Sequence, residues 1–334
     1  MMTFALRHRA APTRPALVLS GLALVAGCAL LAGFAPVRFS IVTVFLFAGP
    51  HNWLEMRYFL ARLPARWGKL RGYFALAFLG IFGLSAAYIA LIVSAEWRWI
   101  DEDASTLAYA LVQTALVFWV ALLAHLRSRT NPRRDWGWVW SAALLAVALA
   151  WYQPQFWSVA LVYLHPLLAL WMLDLELKRS RPAWRPAFHL LLASLPVFLG
   201  LLWLRLSGSQ DLPGGGELSS RITHHAGADA LPELSAAFLV AAHTFLEMLH
   251  YLVWIVAMPL VGLKTAAWRL DGVPLTWRGV PWRRGLACLL LGGAFLVTAL
   301  WAAFLIDYPT TRTVYFAVAT LHVMAEFPFL LRSL

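Results

Sequence analysis

The stretch SAAFLVAAHTFLEMLHYLVWIVAMPLVG, residues 235–262, decides the fold. About 20 apolar residues rising 1.5 Å each cross a hydrocarbon layer roughly 30 Å thick, so this stretch reads as a membrane-spanning helix. Within it stand His243, Glu247 and His250, spaced four and three residues apart. That spacing puts all three on one helix stripe. Ionisable groups at such depth are costly and read by default as functional.

Two more stretches repeat the pattern. His51 precedes Glu55 by four residues, and His322 precedes Glu326 by four. Glu55, Glu247 and Glu326 are the acids that lie deep within apolar segments, each one turn after a histidine. The rest of the chain agrees with a membrane setting. Of 334 residues, 61% are hydrophobic and 13% charged, which excludes an ordinary soluble domain. The 18 Trp include several that flank apolar runs, as interfacial anchors do. Cys28 and Cys288 both fall in apolar runs and supply neither a disulfide framework nor zinc-finger spacing.

The hydrophobic pattern gives an all-α class: a polytopic transmembrane helix bundle of about ten spans, forming a single integral membrane domain over residues 1–334. The spans are read at roughly 15–35, 39–62, 73–95, 104–126, 136–152, 155–177, 187–206, 235–262, 285–306 and 313–331. The fifth and sixth meet at Tyr152-Gln153-Pro154, a tight turn, and one broken hairpin is the alternative. Residues 207–234, with Pro213-Gly214-Gly215-Gly216, form an outer Gly-rich loop too small for a domain. With both termini cytoplasmic, only Arg38, Arg98, Arg205, Arg221 and Arg312 face outward, and the other 22 of 27 basic residues face inward. Arg7, Arg9, Arg133, Arg134 and Lys264 are among those 22. The net charge of +11 is therefore read as an inside-positive bias at a bacterial inner membrane, with the lipid bilayer as partner and no nucleic acid. Val25-Ala26-Gly27-Cys28 resembles a lipoprotein signal, but the apolar run continues past Cys28, so the segment is read as a first span.

In this topology the even-numbered spans all run from outside to inside. His51, His165, His243, His250 and His322 lie on spans two, six, eight and ten, about 8 to 15 residues from their outer ends, or roughly 12–23 Å. Gln113 on span four is at the same depth. Imidazole is the commonest transition-metal ligand, and carboxylates ligate metal or orient a ligating ring. The five histidines are candidate metal ligands. Glu55, Glu247 and Glu326 are candidate ligands, orienting groups or catalytic acids. Mixed imidazole and carboxylate donors suit iron (Fe2+) or zinc better than copper(I) or magnesium. The same residues also fit helix-to-helix hydrogen bonding or a proton relay, and both readings stay open. His125 and His189 near inner span ends read as structural, and His224-His225 as a solvated pair in the outer loop. Tyr58, Tyr163, Tyr251 and Trp254 fit either a pocket lining or plain aromatic packing. Phosphate-binding loops, serine-hydrolase elbows and the His-Glu-x-x-His helix are all absent from the sequence.

Three short motifs resemble one family. Gly49-Pro50-His51-x3-Glu55 is similar to the Pro-His-x-x-x-Asp box of the Brp/Blh carotene oxygenases. Leu321-His322-Val323-Met324-Ala325-Glu326 resembles that family's final Pro-His box. Leu249-His250-Tyr251-Leu252-Val253-Trp254 resembles its histidine helix, for which Trp151-Tyr152-Gln153-Pro154 followed by His165 is an alternative match. The resemblance covers about a quarter of the chain. It implies a multi-helix membrane fold that holds iron through histidines, here His51, His322 and either His250 or His165, and that cleaves β-carotene with molecular oxygen. The family's second box is missing here, its acids are Asp rather than Glu, and its last box is one residue longer. The resulting expectation is a membrane-embedded, iron-dependent oxygenase of a hydrophobic small molecule such as a carotenoid or isoprenoid. A proton-coupled or metal-ion transporter and a zinc-dependent intramembrane hydrolase are the alternatives.

Overall fold

The computed structural model describes residues 14–130, 136–209, 216–263 and 269–334, and among these the regular structure is helical, with no strand. Arg7, Arg9, Arg133, Arg134, Lys264 and Pro213-Gly214-Gly215, used above to read the topology, lie outside the described residues. The helices are α1 (Arg14–Phe34), α2 (Pro36–Arg62), α3 (Arg71–Glu96), α4 (Glu102–Thr130), α5 (Trp138–Tyr152) and α6 (Pro154–Ser180). They continue with α7 (Arg185–Leu206), α8 (Glu217–His225), α9 (Ala236–Leu252), α10 (Met258–Val261), α11 (Val280–Ile306) and α12 (Tyr308–Ser333). A π turn over Val253–Ala257 joins α9 to α10 without a break.

Each of the ten apolar stretches is helical. Eight helices are long and apolar enough to cross a membrane, the continuous α9–α10 rod counting as one. The protein is thus a multi-pass helical membrane protein. The two remaining stretches differ for physical reasons. Helix α2 is 27 residues long, but its second half carries His51, Asn52, Glu55 and Arg57. Helix α5 has only 15 residues, about 22 Å of rise.

Local chemistry sets the helix ends. Pro36 and Pro154 open α2 and α6, where a missing N–H costs nothing. Ser235 accepts from the Phe238 N–H at 3.4 Å to cap α9, and Asp307 accepts from the Thr310 N–H at 3.2 Å to cap α12. Gly80 lets α4 approach α3, because a Cβ there would lie 2.0 Å from the Trp119 ring. Trp119 uses that approach to donate to the Leu76 carbonyl at 2.9 Å.

Helix α9 is the central post. It packs against α1, α2, α6, α7 and α8, and nearly all its residues from Leu239 to Tyr251 are buried. A helix that is apolar on every side belongs in an interior. Helix α11 sits at the rim against α2 and α12, with Leu291, Phe295, Leu296, Leu305 and Ile306 turned outward.

The C-terminal ends of α2, α4, α6 and α12 come together. The Glu176 carboxylate on α6 accepts from Tyr58 at 2.9 Å and from Arg62 at 2.5 Å, both on α2. Arg332 of α12 donates to the Arg62 carbonyl, and Arg127 of α4 donates to the Arg332 carbonyl at 3.3 Å. Cations at helix C-termini also complement the helix dipoles. These four helices therefore run in the same direction. Arg57, buried in α2, donates to the Arg269 carbonyl at 2.6 Å, and Asp174 takes a forked pair of bonds from Arg185 at 2.8 and 2.7 Å.

At the opposite end, the segment read as an outer loop contains α8. Its Ile222 and the following Ala226 pack on Leu239 and Val240 of α9. Arg221 bonds Glu217 at 2.7 Å and the Thr313 hydroxyl at 2.8 Å, tying α8 to α12. Gly227, with φ of +88°, then turns the chain toward α9.

Candidate metal centre

Four of the five candidate histidines meet in the bundle interior, one from each of α2, α6, α9 and α12. The rings of His51 and His250 are 5.3 Å apart, His51 and His322 5.2 Å, and His165 and His322 5.1 Å. The closest pair of rings, His165 and His250, is 4.4 Å apart. Donor atoms of His51, Glu55, His250 and His322 all lie within 4.8 Å of one another, as do those of His165, His250 and Glu326. His250 belongs to both groups and so sits at their junction.

Hydrogen bonding defines which nitrogen His51 offers. His51 Nδ1 is 3.0 Å from the Phe47 carbonyl, one turn back, and this bond fixes Nδ1 as the protonated nitrogen. Its Nε2 is buried and has no hydrogen-bond partner in the protein. His165 Nδ1 lies 3.0 Å from Glu326 Oε2, while its Nε2 lies 3.3 Å from His322 Nε2. Two nitrogens bound at right angles to one metal at about 2.1 Å would stand about 3.0 Å apart, so this spacing fits shared ligation. His250 is 1% exposed, and neither of its ring nitrogens has a partner.

The two carboxylates have different surroundings. Glu55 is 1% exposed, and both of its oxygens lack any hydrogen-bond donor. Glu326 is wholly buried, and its Oε1 accepts from Trp254 Nε1 at 3.3 Å. Trp254 lies in the π turn, a distortion that recurs at functional sites, and here it aims the indole at α12. Leaving one buried polar group unsatisfied costs about 1–3 kcal/mol, and six side chains with such atoms converge here: His51, Glu55, His165, His250, His322 and Glu326. A divalent metal would satisfy the donors of one group, and the carboxylates would offset its charge in an apolar interior. The donor set thus fits a metal on its own chemistry.

The structure does not bring His243 and Glu247 into this cluster. The His243 ring is 5.9 Å from Tyr163 and 5.1 Å from His225, above the centre. Glu247 accepts from the Tyr251 hydroxyl at 2.8 Å. Gln113 is buried in α4, which packs beside α6 and α12. His189 bonds Asp174 at 2.7 Å and His125 packs against Trp140. His224 is exposed and reaches Asp229 at 2.5 Å, but its neighbour His225 turns inward onto Phe316, with ring centroids 4.3 Å apart.

Two contacts were beyond sequence reasoning. The Tyr251 ring lies 4.2 Å from the His51 ring, and Trp254 reaches Glu326 across 72 residues of sequence. Both aromatics follow His250 within one turn, and only the packed bundle shows which group each one meets. No family model, no curated protein and no solved structure matches this chain.

Proposed function

We propose that the protein is a membrane-embedded, metal-dependent oxygenase of a lipid-soluble substrate, with ten spans and both termini on the cytoplasmic side of a bacterial inner membrane. The reading rests on one observation above all. Four imidazoles from four helices converge beside two carboxylates, and each of the six side chains keeps at least one buried atom without a hydrogen-bond partner. His51, His250, His322 and Glu55 would hold the metal, joined by His165, whose ring Glu326 orients. Iron is the metal best suited to this mixed donor set in an oxygenase, and bound iron would supply oxygen activation. The similarity of the His51 and His322 segments to the Brp/Blh boxes points the same way. The surrounding chain would exclude water and hold an apolar substrate beside the centre, since Phe47, Tyr251 and Trp254 line it with aromatic surface.

Metal analysis of the detergent-purified protein tests the proposal. Stoichiometric iron is expected, lost in His51→Ala and His250→Ala while both variants keep the helical fold. A fully folded, metal-free wild-type protein overturns it. Stoichiometric zinc, with no oxygen uptake, would replace the oxygenase by a hydrolase.

A further inference from the structure

The start of α11 carries an apolar groove far from the donor atoms of the metal centre. The segment before it is tied to the end of the bundle where α2, α4, α6 and α12 finish, since Arg57 donates to the Arg269 carbonyl. The groove has a volume of about 290 Å³ and is lined by Pro281, Trp282, Gly285, Leu286 and Leu289. These residues share one side of the helix and extend over eight positions, about 12 Å of rise. One leaflet of a hydrocarbon layer roughly 30 Å thick is about 15 Å deep, so the groove covers most of one leaflet. A Cβ added at Gly285 would meet no neighbour within 4 Å, so nothing packs into the groove there. Trp277, 71% exposed, and Trp282, 44% exposed, stand beside it as interfacial anchors do.

The rim of this groove is cationic. The Arg278 guanidinium lies over the Trp282 ring at 4.3 Å, which puts a positive charge on the groove wall. Arg283 and Arg284 follow within the first five residues of α11, whose first turn holds no acid. The helix dipole disfavours cations there, so the sequence adds positive charge where the backbone already supplies some. Asp271 is the local acid, shared by Arg269 at 3.5 Å and Arg283 at 3.6 Å. Among the described residues no carboxylate pairs with Arg278 or Arg284. Elsewhere at the same end Glu176 serves Arg62 and Arg179, and Asp174 serves Arg185. An occupant that suits both features is apolar over about 12 Å and anionic at one end. A free phosphate leaves the groove empty, and a hydrocarbon or zwitterionic lipid brings no net charge to the arginines. A partner helix, about 10 Å across, is too wide to enter.

We propose that the start of α11 binds one anionic phospholipid, with an acyl chain in the groove and the phosphate held by Arg278 and Arg284. The bilayer around a rim helix supplies both parts in one molecule. Basic groups at the membrane surface attract anionic headgroups, and a guanidinium can take two phosphate oxygens at once. Just beyond the groove, Trp53 of α2 donates to the Leu290 carbonyl at 2.9 Å. A bound lipid would therefore steady the helix that packs on α2, the carrier of His51 and Glu55.

The test is lipid binding to the detergent-purified protein, counted by native mass spectrometry at low salt. The probes are phosphatidylglycerol and phosphatidylcholine with the same acyl chains. One phosphatidylglycerol should bind about tenfold or more tightly than phosphatidylcholine, because two guanidinium groups meet its net charge. Arg278→Gln combined with Arg284→Gln should bring that ratio toward one. Gly285→Leu fills the groove from an open position, favours the helix and leaves every charge in place. It should weaken phosphatidylglycerol binding about tenfold. Lys178→Gln combined with Arg181→Gln is the control. It removes the same charge from the same end, where Arg181 also lies over a Trp ring, and should leave the ratio as it is. The two lipids binding alike to the wild-type protein would overturn the proposal, as would a ratio that survives in the Arg278 and Arg284 variant. Unchanged binding in Gly285→Leu would overturn it too. So would an equal loss in the control, which would spread the attraction over the whole basic face. None of these outcomes depends on bound metal, so the site stands or falls apart from the proposed function.

Discussion

Glu326→Gln isolates the role of one carboxylate at nearly constant volume. In the wild-type protein Glu326 Oε1 accepts from Trp254 at 3.3 Å, and Oε2 faces His165 Nδ1 at 3.0 Å. An amide that keeps its oxygen toward the Trp254 donor must turn its NH2 toward Nδ1. Nδ1 then becomes an acceptor, and the imidazole proton moves to Nε2. That is the nitrogen 3.3 Å from His322 Nε2, and once protonated it cannot ligate. One of four rings is thereby withdrawn, and one negative charge beside the metal is lost. Loss of such an orienting partner typically lowers metal affinity by 10–100-fold, about 1.4–2.8 kcal/mol. The assay is competition between the protein and a chelator of known affinity, with iron and with zinc, and tryptophan fluorescence confirms the fold. Unchanged affinity for both metals in a folded Glu326→Gln protein would refute the assigned tautomer and the orienting role of Glu326.

Further expectations concern the scaffold. Gly80→Ala drives a methyl group into the Trp119 ring, and overpacking of this kind should destabilise by about 1–3 kcal/mol, read as a lower midpoint in detergent unfolding. Glu176→Leu removes the acceptor of Tyr58 and leaves Arg62 only the Gly262 carbonyl at 3.2 Å, and should cost about 3 kcal/mol in the same assay. Tyr58→Phe, which keeps the Arg62 pair, should cost only about 1 kcal/mol. Asp307 lies between spans, and the hydroxyl and N–H of Thr310 hold its carboxyl below the usual carboxylate range. Its contribution to the α12 cap is present above the unfolded-state pKa and is lost as pH falls through the folded one. Asp307→Ala should therefore lower the unfolding midpoint at neutral pH and leave it unchanged in strong acid.

The helices and much of the centre were legible in the sequence because both follow from period and depth. Ten apolar stretches gave ten helices, and counting residues from their outer ends grouped His51, His165, His243, His250 and His322 before any fold was known. Depth along a helix is one coordinate, however, and the facing direction is another. His243 shares the stripe of His250 but lies seven residues, about 10.5 Å, further out, which is beyond the reach of one coordination sphere. One centre therefore cannot hold both, and the packed bundle shows that His250 is the one that meets the other rings. Helix α8 was missed because its nine residues follow a Gly-rich run and carry too few apolar side chains to register as a span. Its Leu218–Ile222 spacing and the Glu217–Arg221 pair were the available signal. The Trp254 contact depends on the π turn, whose extra residue shifts the helical phase and has no signature in hydrophobic period.

That π turn also bears on how α9 serves the centre. From Ser235 to Tyr251 the helix is regular, so His250 is held in one direction by a post that is packed on all sides. The next residues widen the helix and send Trp254 to Glu326, the acid 3.0 Å from His165. A displacement of α9 that moved His250 would therefore also pull on the Trp254 bond, so the position of one ring and the carboxylate beside another are set by the same rod.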